Sequence, residues 1–70
     1  MIVGKRLEMA INQSGLTRQS LSEQTGVSTF AILRYESASV STCPREHLDK
    51  LAAALGVTEA WLAGLSDDRA

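Results

Sequence analysis

The chain has 70 residues, 44% of them apolar, and this makes it one domain near the lower size limit for a single hydrophobic core. The one cysteine, Cys43, excludes an intramolecular disulfide and is typical of a reducing compartment. No apolar run approaches the roughly 18 residues of a membrane-spanning helix. The first residues, Met-Ile-Val-Gly-Lys-Arg, do not resemble a signal peptide, so we expect no membrane partner and a cytoplasmic location.

The net charge of −1 is unevenly distributed along the chain. Residues 1–45 carry five basic and three acidic side chains, a net +2, whereas residues 46–70 carry two basic and five acidic side chains, a net −3. A charge of this size favours modest attraction to phosphate in the first part of the chain and excludes strong nonspecific binding to nucleic acid.

Apolar residues at helical spacing predict a first helix over residues 3–14, which Gly15 ends. Its apolar face consists of Val3, Leu7, Ala10 and Ile11.

Two short helices are predicted on either side of a turn at Gly26. Thr17 can cap the first of them, over residues 17–25, and Ser28 can cap the second, over residues 28–37. A unit of this size fits one helix into the major groove of DNA. The alternative to a DNA-binding unit is an ordinary helical hairpin in a small bundle. The apolar face of the second helix consists of Ala31, Ile32 and Tyr35.

The remainder of the chain predicts a loop and two further helices. Residues 37–42 show no period and indicate the loop. Pro44 suits the first position of a fourth helix that ends at Leu55, and Thr58 can cap a fifth helix over residues 59–63.

The predicted fold class is therefore all-α, with five helices in one domain over residues 1–65. The polar residues 66–70 are expected to form a frayed tail or the start of a linker.

Five short motifs lie in sequence order at or near the ends of the predicted helices. They are Gly15-Leu16-Thr17, Gly26-Val27-Ser28, Ile32-Leu33-Arg34-Tyr35-Glu36, Leu51-Ala52-Ala53-Ala54-Leu55-Gly56-Val57-Thr58 and Trp61-Leu62-Ala63-Gly64. Together they resemble the Cro and phage-repressor family of helix-turn-helix proteins, the XRE type, over residues 4–64. The resemblance implies a compact five-helix, lambda-repressor-like DNA-binding domain in a bacterial or phage-infected cell.

The resemblance also implies a docking mode on double-stranded DNA, with the third helix as the recognition helix. Arg34 is then suited to guanine O6 and N7, and Phe30 is suited to a thymine methyl group. The implied base contacts are Ser28, Thr29, Phe30 and Arg34. The implied phosphate contacts are Thr17, Arg18, Ser41, Thr42 and Arg45.

Family habit and the symmetry of operator half-sites imply a homodimer on DNA, with Trp61 and Leu62 as the expected dimer contacts. Each assignment has a structural alternative. Arg34 can be a solvated cation at a helix end, and Phe30 and Trp61 can belong to the core or to a protein interface.

Glu36 departs from the family pattern. Many members pair this acid with an arginine at the position where the present chain has Ile11. Glu36 must therefore face solvent or find Arg6, a helix-cap N–H or another cation, because an unpaired buried carboxylate is unfavourable.

No pattern of residues predicts catalysis. The chain has one histidine and one cysteine, no glycine-rich phosphate loop and no spacing typical of a catalytic triad. We therefore expect no enzyme activity, metal, cofactor or small-molecule ligand. The predicted function is a sequence-specific regulator of transcription, of the phage or mobile-element repressor type, that places the helix over residues 28–37 in the major groove of double-stranded DNA. Phe30 and Leu33 make this helix more apolar than most helices that read DNA. The alternative is therefore a protein-interaction module of the same fold, of antitoxin or adaptor type, that uses Phe30 and Leu33 as an apolar anchor.

Overall fold

Five helices form the domain in the computed structural model, which describes residues 1–69. They are α1 (Gly4–Ser14), α2 (Arg18–Thr25), α3 (Thr29–Ser37), α4 (Arg45–Leu55) and α5 (Glu59–Leu62). The predicted all-α class with five helices is confirmed. The first four predicted starts lie one residue too early, since Val3, Thr17, Ser28 and Pro44 are the N-caps that precede these helices.

Side-chain hydroxyl groups cap the N-termini of three of the helices. Thr17 accepts a hydrogen bond from the Ser20 N–H at 3.0 Å. Ser28 accepts from the Ala31 N–H at 3.1 Å. The hydroxyl of Thr58 accepts from the Trp61 N–H at 3.1 Å, so the cap predicted at Thr58 is also confirmed. Each bond satisfies a backbone donor that has no partner within its own helix.

The core lies where the apolar faces of the helices meet. Helix α1 packs against α3, α4 and α5, and α2 packs against α3 and α4. Most apolar side chains predicted on the inner faces are buried here, whereas Val3 and Ala31 are only partly buried. Full burial of a large apolar side chain stabilises the fold by roughly 1.5–3 kcal/mol. The largest fully buried side chains are Ile2, Leu7, Ile11, Leu21, Val27, Ile32, Leu51 and Leu62.

Helices α1 and α3 approach closely at Gly4, the first residue of α1. A Cβ atom at this position would lie 2.1 Å from the carbonyl oxygen of Ala38 and 2.5 Å from that of Tyr35. Just before Gly4, Ile2 exchanges two backbone hydrogen bonds with Ser41, at 2.9 and 3.0 Å. The start of the chain thus holds the end of α3 and the loop after it.

Residues 66–69 lie against the domain, so the expectation of a frayed tail is wrong for them. The N–H of Thr58 donates to the carbonyl of Arg69 at 2.8 Å. The guanidinium of Arg6 donates to the carbonyls of Trp61 and Ser66, both at 2.7 Å. The guanidinium carbons of Arg6 and Arg69 lie 5.1 and 4.7 Å from the centroid of the Trp61 ring, at cation–π distance. Ala70 lies outside the described residues.

The Gly4→Ala variant should be destabilised by about 3 kcal/mol, because the added methyl group meets backbone oxygens that can move only with the helix. Urea unfolding followed by circular dichroism measures this. Gly15→Ala is the matched control, because a Cβ atom at Gly15 would meet no atom within 4 Å. This variant should lose only about 1–2 kcal/mol of stability, which is what a side chain costs at the positive φ of 78°. Equal losses in the two variants would contradict the close approach at Gly4.

The raised pKa of Glu59 predicts that the stability of the fold depends on pH. Hydrogen bonding to Asp49 raises the pKa of Glu59 above its usual range, with further contributions from burial and from the Asp49 charge, whereas the Arg45 charge opposes them. A raised folded-state pKa means that this group stabilises the fold below its unfolded pKa and that the contribution is lost as pH rises through the folded value. Glu59→Gln should therefore remove part of the stability gained on acidification.

The measurement is the urea midpoint of the wild type and Glu59→Gln from pH 7 to about one pH unit below the ordinary glutamate pKa of 4.5, because the contribution of a group with a lowered pKa is lost only below that value. Glu46→Gln serves as the control, because hydrogen bonding to Lys50 lowers the pKa of Glu46 and its removal should change the pH dependence in the opposite direction. The same change in both variants would contradict the acidic pair.

Candidate nucleic-acid interface

The turn between α2 and α3 orients the outer face of α3. Gly26 takes φ 76° and its N–H donates to the carbonyl of Ser22 at 2.8 Å. Val27 is buried in the core, and its N–H donates to the hydroxyl of Thr25 at 3.2 Å. The buried Val27 side chain thus anchors the turn in the core.

Helix α3 has a buried face and a solvent-exposed face. Ile32 and Tyr35 point into the core. The exposed residues include one arginine and no carboxylate. They are Thr29, Phe30, Leu33, Arg34 and Ser37, preceded by the exposed cap Ser28.

Glu36, the acid of α3, is paired with Arg18 at the start of α2. The Nε of Arg18 donates to Oε2 at 3.0 Å and its Nη2 donates to Oε1 at 2.5 Å, so the pair is bidentate. The Glu36 side chain is 7% exposed, whereas that of Arg18 is 37% exposed. Hydrogen bonding to Glu36 raises the pKa of Arg18. Of the partners expected for Glu36, the other cation is the one found, since Arg6 binds the C-terminal residues instead.

A groove of about 490 Å³ lies between α3 and the loop that follows it. Its lining brings together four of the predicted DNA contacts from two elements, namely Phe30, Arg34, Ser41 and Thr42. Leu33 also lines the groove and was not predicted as a base contact. Its position one helical turn after Phe30 is the signal that could have shown this.

The remaining predicted phosphate contacts lie at helix starts. Thr17 and Arg18 begin α2, and Arg45 is the exposed first residue of α4. A helix N-terminus offers free backbone N–H groups and a partial positive charge, both of which favour an anion. Because the hydroxyl of Thr17 accepts from the Ser20 N–H, it also serves as a cap in the free protein.

Trp61 and Leu62, the predicted dimer contacts, are buried within the chain. Their exposed fractions are 5% and 0%, so in this conformation neither side chain reaches a second copy. Burial follows from their position on the inner face of α5, where Trp61 also meets the Arg6 guanidinium. The exposed apolar side chains nearby are Met1 and Leu65, which line a separate groove of about 400 Å³.

The remaining reactive side chains have local partners. The hydroxyl of Tyr35 lies 3.0 Å from Nδ1 of His47. Burial raises the pKa of the Cys43 thiol and that of the Tyr35 phenol. Within residues 1–69, no group of three His, Cys, Asp or Glu side chains is placed to hold a metal ion.

A protein-family model described as a helix-turn-helix domain matches residues 2–65, which include all five helices. The chain belongs to this helix-turn-helix domain family. The match covers the turn at Gly26 and the whole exposed face of α3, and the family points to DNA as the partner. No curated protein matches the sequence. Among residues 1–69, no helix has the length and apolar character needed to cross a membrane.

Removing either member of the buried pair should destabilise this helix-turn-helix domain. Arg18→Ala leaves the Glu36 carboxylate buried without its cation, and we expect a loss of about 2 kcal/mol, less than for a fully buried pair because Arg18 is partly exposed. Urea unfolding of the two single variants and of the double Ala variant measures the coupling.

The exposed pair between Lys50 and Glu46 provides the control for this cycle, at 3.0 Å but with both side chains about half or more exposed. Its coupling should stay below about 0.5 kcal/mol. Additive effects of the Arg18 and Glu36 substitutions would show that their hydrogen bonds do not stabilise the domain.

Proposed function

We propose that the protein is a sequence-specific regulator of transcription, of the phage or mobile-element repressor type, that inserts the N-terminal end of α3 into the major groove of double-stranded DNA. The observation that carries this proposal is the outer face of α3, which presents Arg34 without any carboxylate. Such a face can approach a polyanion and still offer hydrogen-bond donors to base edges.

The base contacts in this proposal are Ser28, Thr29, Phe30 and Arg34. All four side chains are exposed. Ser28 caps α3, and Thr29 and Phe30 belong to its first turn, the part of a recognition helix that contacts bases, whereas Arg34 lies in its last turn, one turn after Phe30 on the same face. The Arg34 guanidinium supplies two parallel donors that match O6 and N7 of guanine.

Phosphate contacts on both sides of α3 would set the register of the helix in the groove. Arg18 uses Nε and Nη2 for Glu36, which leaves Nη1 for a phosphate oxygen beside the first N–H groups of α2. On the other side, Ser41 and Thr42 line the groove next to α3, and Arg45 follows in the chain. Thr17 completes the set.

Binding as a homodimer belongs to the same proposal, since two copies related by a two-fold axis would read two operator half-sites. Met1 and Leu65 provide exposed apolar surface beside α5, at the start and near the end of the described chain. The two ends of the domain, rather than Trp61 and Leu62, are then the surface that a second copy would cover.

A protein-interaction module of the same fold is the second candidate. The observation that favours it is the exposure of Phe30 at 70% and Leu33 at 52%, since neighbouring apolar side chains in water are typical of docking surfaces. The charge of Arg34, which lines the same groove, and the family of the domain favour DNA.

Fluorescence anisotropy distinguishes the two candidates. A site selected by the protein from a pool of random duplexes is compared with scrambled duplex at two salt concentrations. A regulator should bind the selected site tightly and the scrambled duplex weakly, with steep salt dependence for the latter. Failure to select any site, together with equal and negligible binding to both duplexes, would favour the interaction module.

Arg34→Ala should weaken binding to the selected site by about 1–3 kcal/mol and leave binding to scrambled duplex nearly unchanged, because the lost contact is to a base. Arg45→Ala should weaken both alike and lower the salt dependence, because the lost contact is to a phosphate. Lys50→Ala, which removes an exposed cation elsewhere, is the control for net charge. Equal effects of Arg34→Ala on the two duplexes would contradict the docking mode.

A further inference from the structure

We propose that Leu33 joins Phe30 in reading the 5-methyl groups of thymines that neighbour a guanine bound by Arg34. This inference rests on the proposed function and adds to it the kind of base edge that the outer face of α3 recognises. It assigns a role in DNA binding to Leu33, and it makes the two apolar side chains part of the sequence readout.

The apolar surface at Phe30 and Leu33 is not part of the hydrophobic core. The core is closed by Ile32 and Tyr35 from the same helix, while Phe30 and Leu33 leave 70% and 52% of their area in water. Exposing such side chains is unfavourable in the free protein, and covering them is favourable in a complex.

The charges around this surface favour DNA over an apolar protein partner. Arg34 lies on the same face of α3 as Phe30, four residues later, and lines the same groove. The neighbouring acid, Glu36, is withdrawn from this face by its pair with Arg18. An apolar partner would have to cover the Arg34 guanidinium without a counter-charge, whereas DNA supplies acceptors for it.

In the major groove, the apolar group that the bases present is the 5-methyl group of thymine. The other base edges there carry hydrogen-bond donors and acceptors, which lose water without compensation if a phenyl or isobutyl group covers them. Phe30 and Leu33 therefore favour thymine through contact with its methyl group and disfavour the other bases through desolvation.

The spacing of the three side chains matches adjacent base pairs. Phe30 and Leu33 are three residues apart, which corresponds to a rise of about 4.5 Å along a helix. The rise of one base pair is about 3.4 Å. Side chains one helical turn apart thus reach the same or neighbouring steps, and Arg34 reaches a guanine beside them.

The experiment replaces thymine by deoxyuridine in the selected site, one position at a time. This change removes the methyl group and keeps every hydrogen-bonding group of the base pair. We expect binding of the full chain to weaken about three- to fivefold at the thymines beside the guanine, as transfer of one methyl group predicts. Thymines outside the contacted step should show no change.

Side-chain variants then test whether Phe30 and Leu33 are the source of this preference. In Phe30→Ala and Leu33→Ala, the ratio of affinities for the thymine and deoxyuridine duplexes should fall toward one at the position each residue contacts. Met9→Ala is the matched control, because Met9 is also an exposed apolar side chain but lies on α1 and does not line the groove beside Phe30 and Leu33. It should keep the full ratio.

The outcomes separate this inference from the proposed function. A selected site that binds tightly but tolerates deoxyuridine at every position, or a ratio that persists in both Ala variants, would overturn methyl recognition and leave the regulator in place. A protein that selects no duplex would overturn both. A deoxyuridine effect that disappears with Phe30 or Leu33 alone supports the inference.

Discussion

The bidentate pair between Arg18 and Glu36 connects the two helices of the helix-turn-helix unit. It joins the first residue of α2 to the last turn of α3, with the carboxylate buried and the guanidinium partly in solvent. A carboxylate in this position needs a partner, because an uncompensated buried charge is strongly destabilising. The pair therefore constrains how α2 and α3 pack, and it also removes the acid of α3 from the exposed face of that helix.

Arg18 pairs with Glu36 and also occupies a proposed phosphate site, whereas many family members pair this acid with an arginine at the position of Ile11. Its Nε and Nη2 hold Glu36, and its location at the start of α2 is the proposed phosphate site. The carboxylate fixes the plane of the guanidinium, so the remaining edge of Arg18 is oriented before DNA arrives. Less side-chain entropy is then lost when a phosphate binds.

The start of the chain stabilises the other side of the proposed interface. Ile2 pairs with Ser41 through two backbone hydrogen bonds, and Gly4 allows α1 to lie directly on the end of α3. These contacts hold the loop that lines the groove next to Phe30 and Arg34. The outer face of α3 can then keep side chains such as Phe30 and Leu33 in water, an arrangement that local packing rules disfavour and that functional surfaces commonly show.

The sequence by itself determined the helices, their caps and most of the core, because apolar spacing and residues such as Thr17, Ser28 and Gly26 act through local backbone geometry. The four residues that it predicts as base contacts are exposed at α3, and their contact with DNA stays a prediction. The partner of Glu36, the burial of Trp61 and the packing of residues 66–69 were decided only by the tertiary structure. Each depends on which side chains meet across helices far apart in the chain, and single-residue patterns carry no information about those distances.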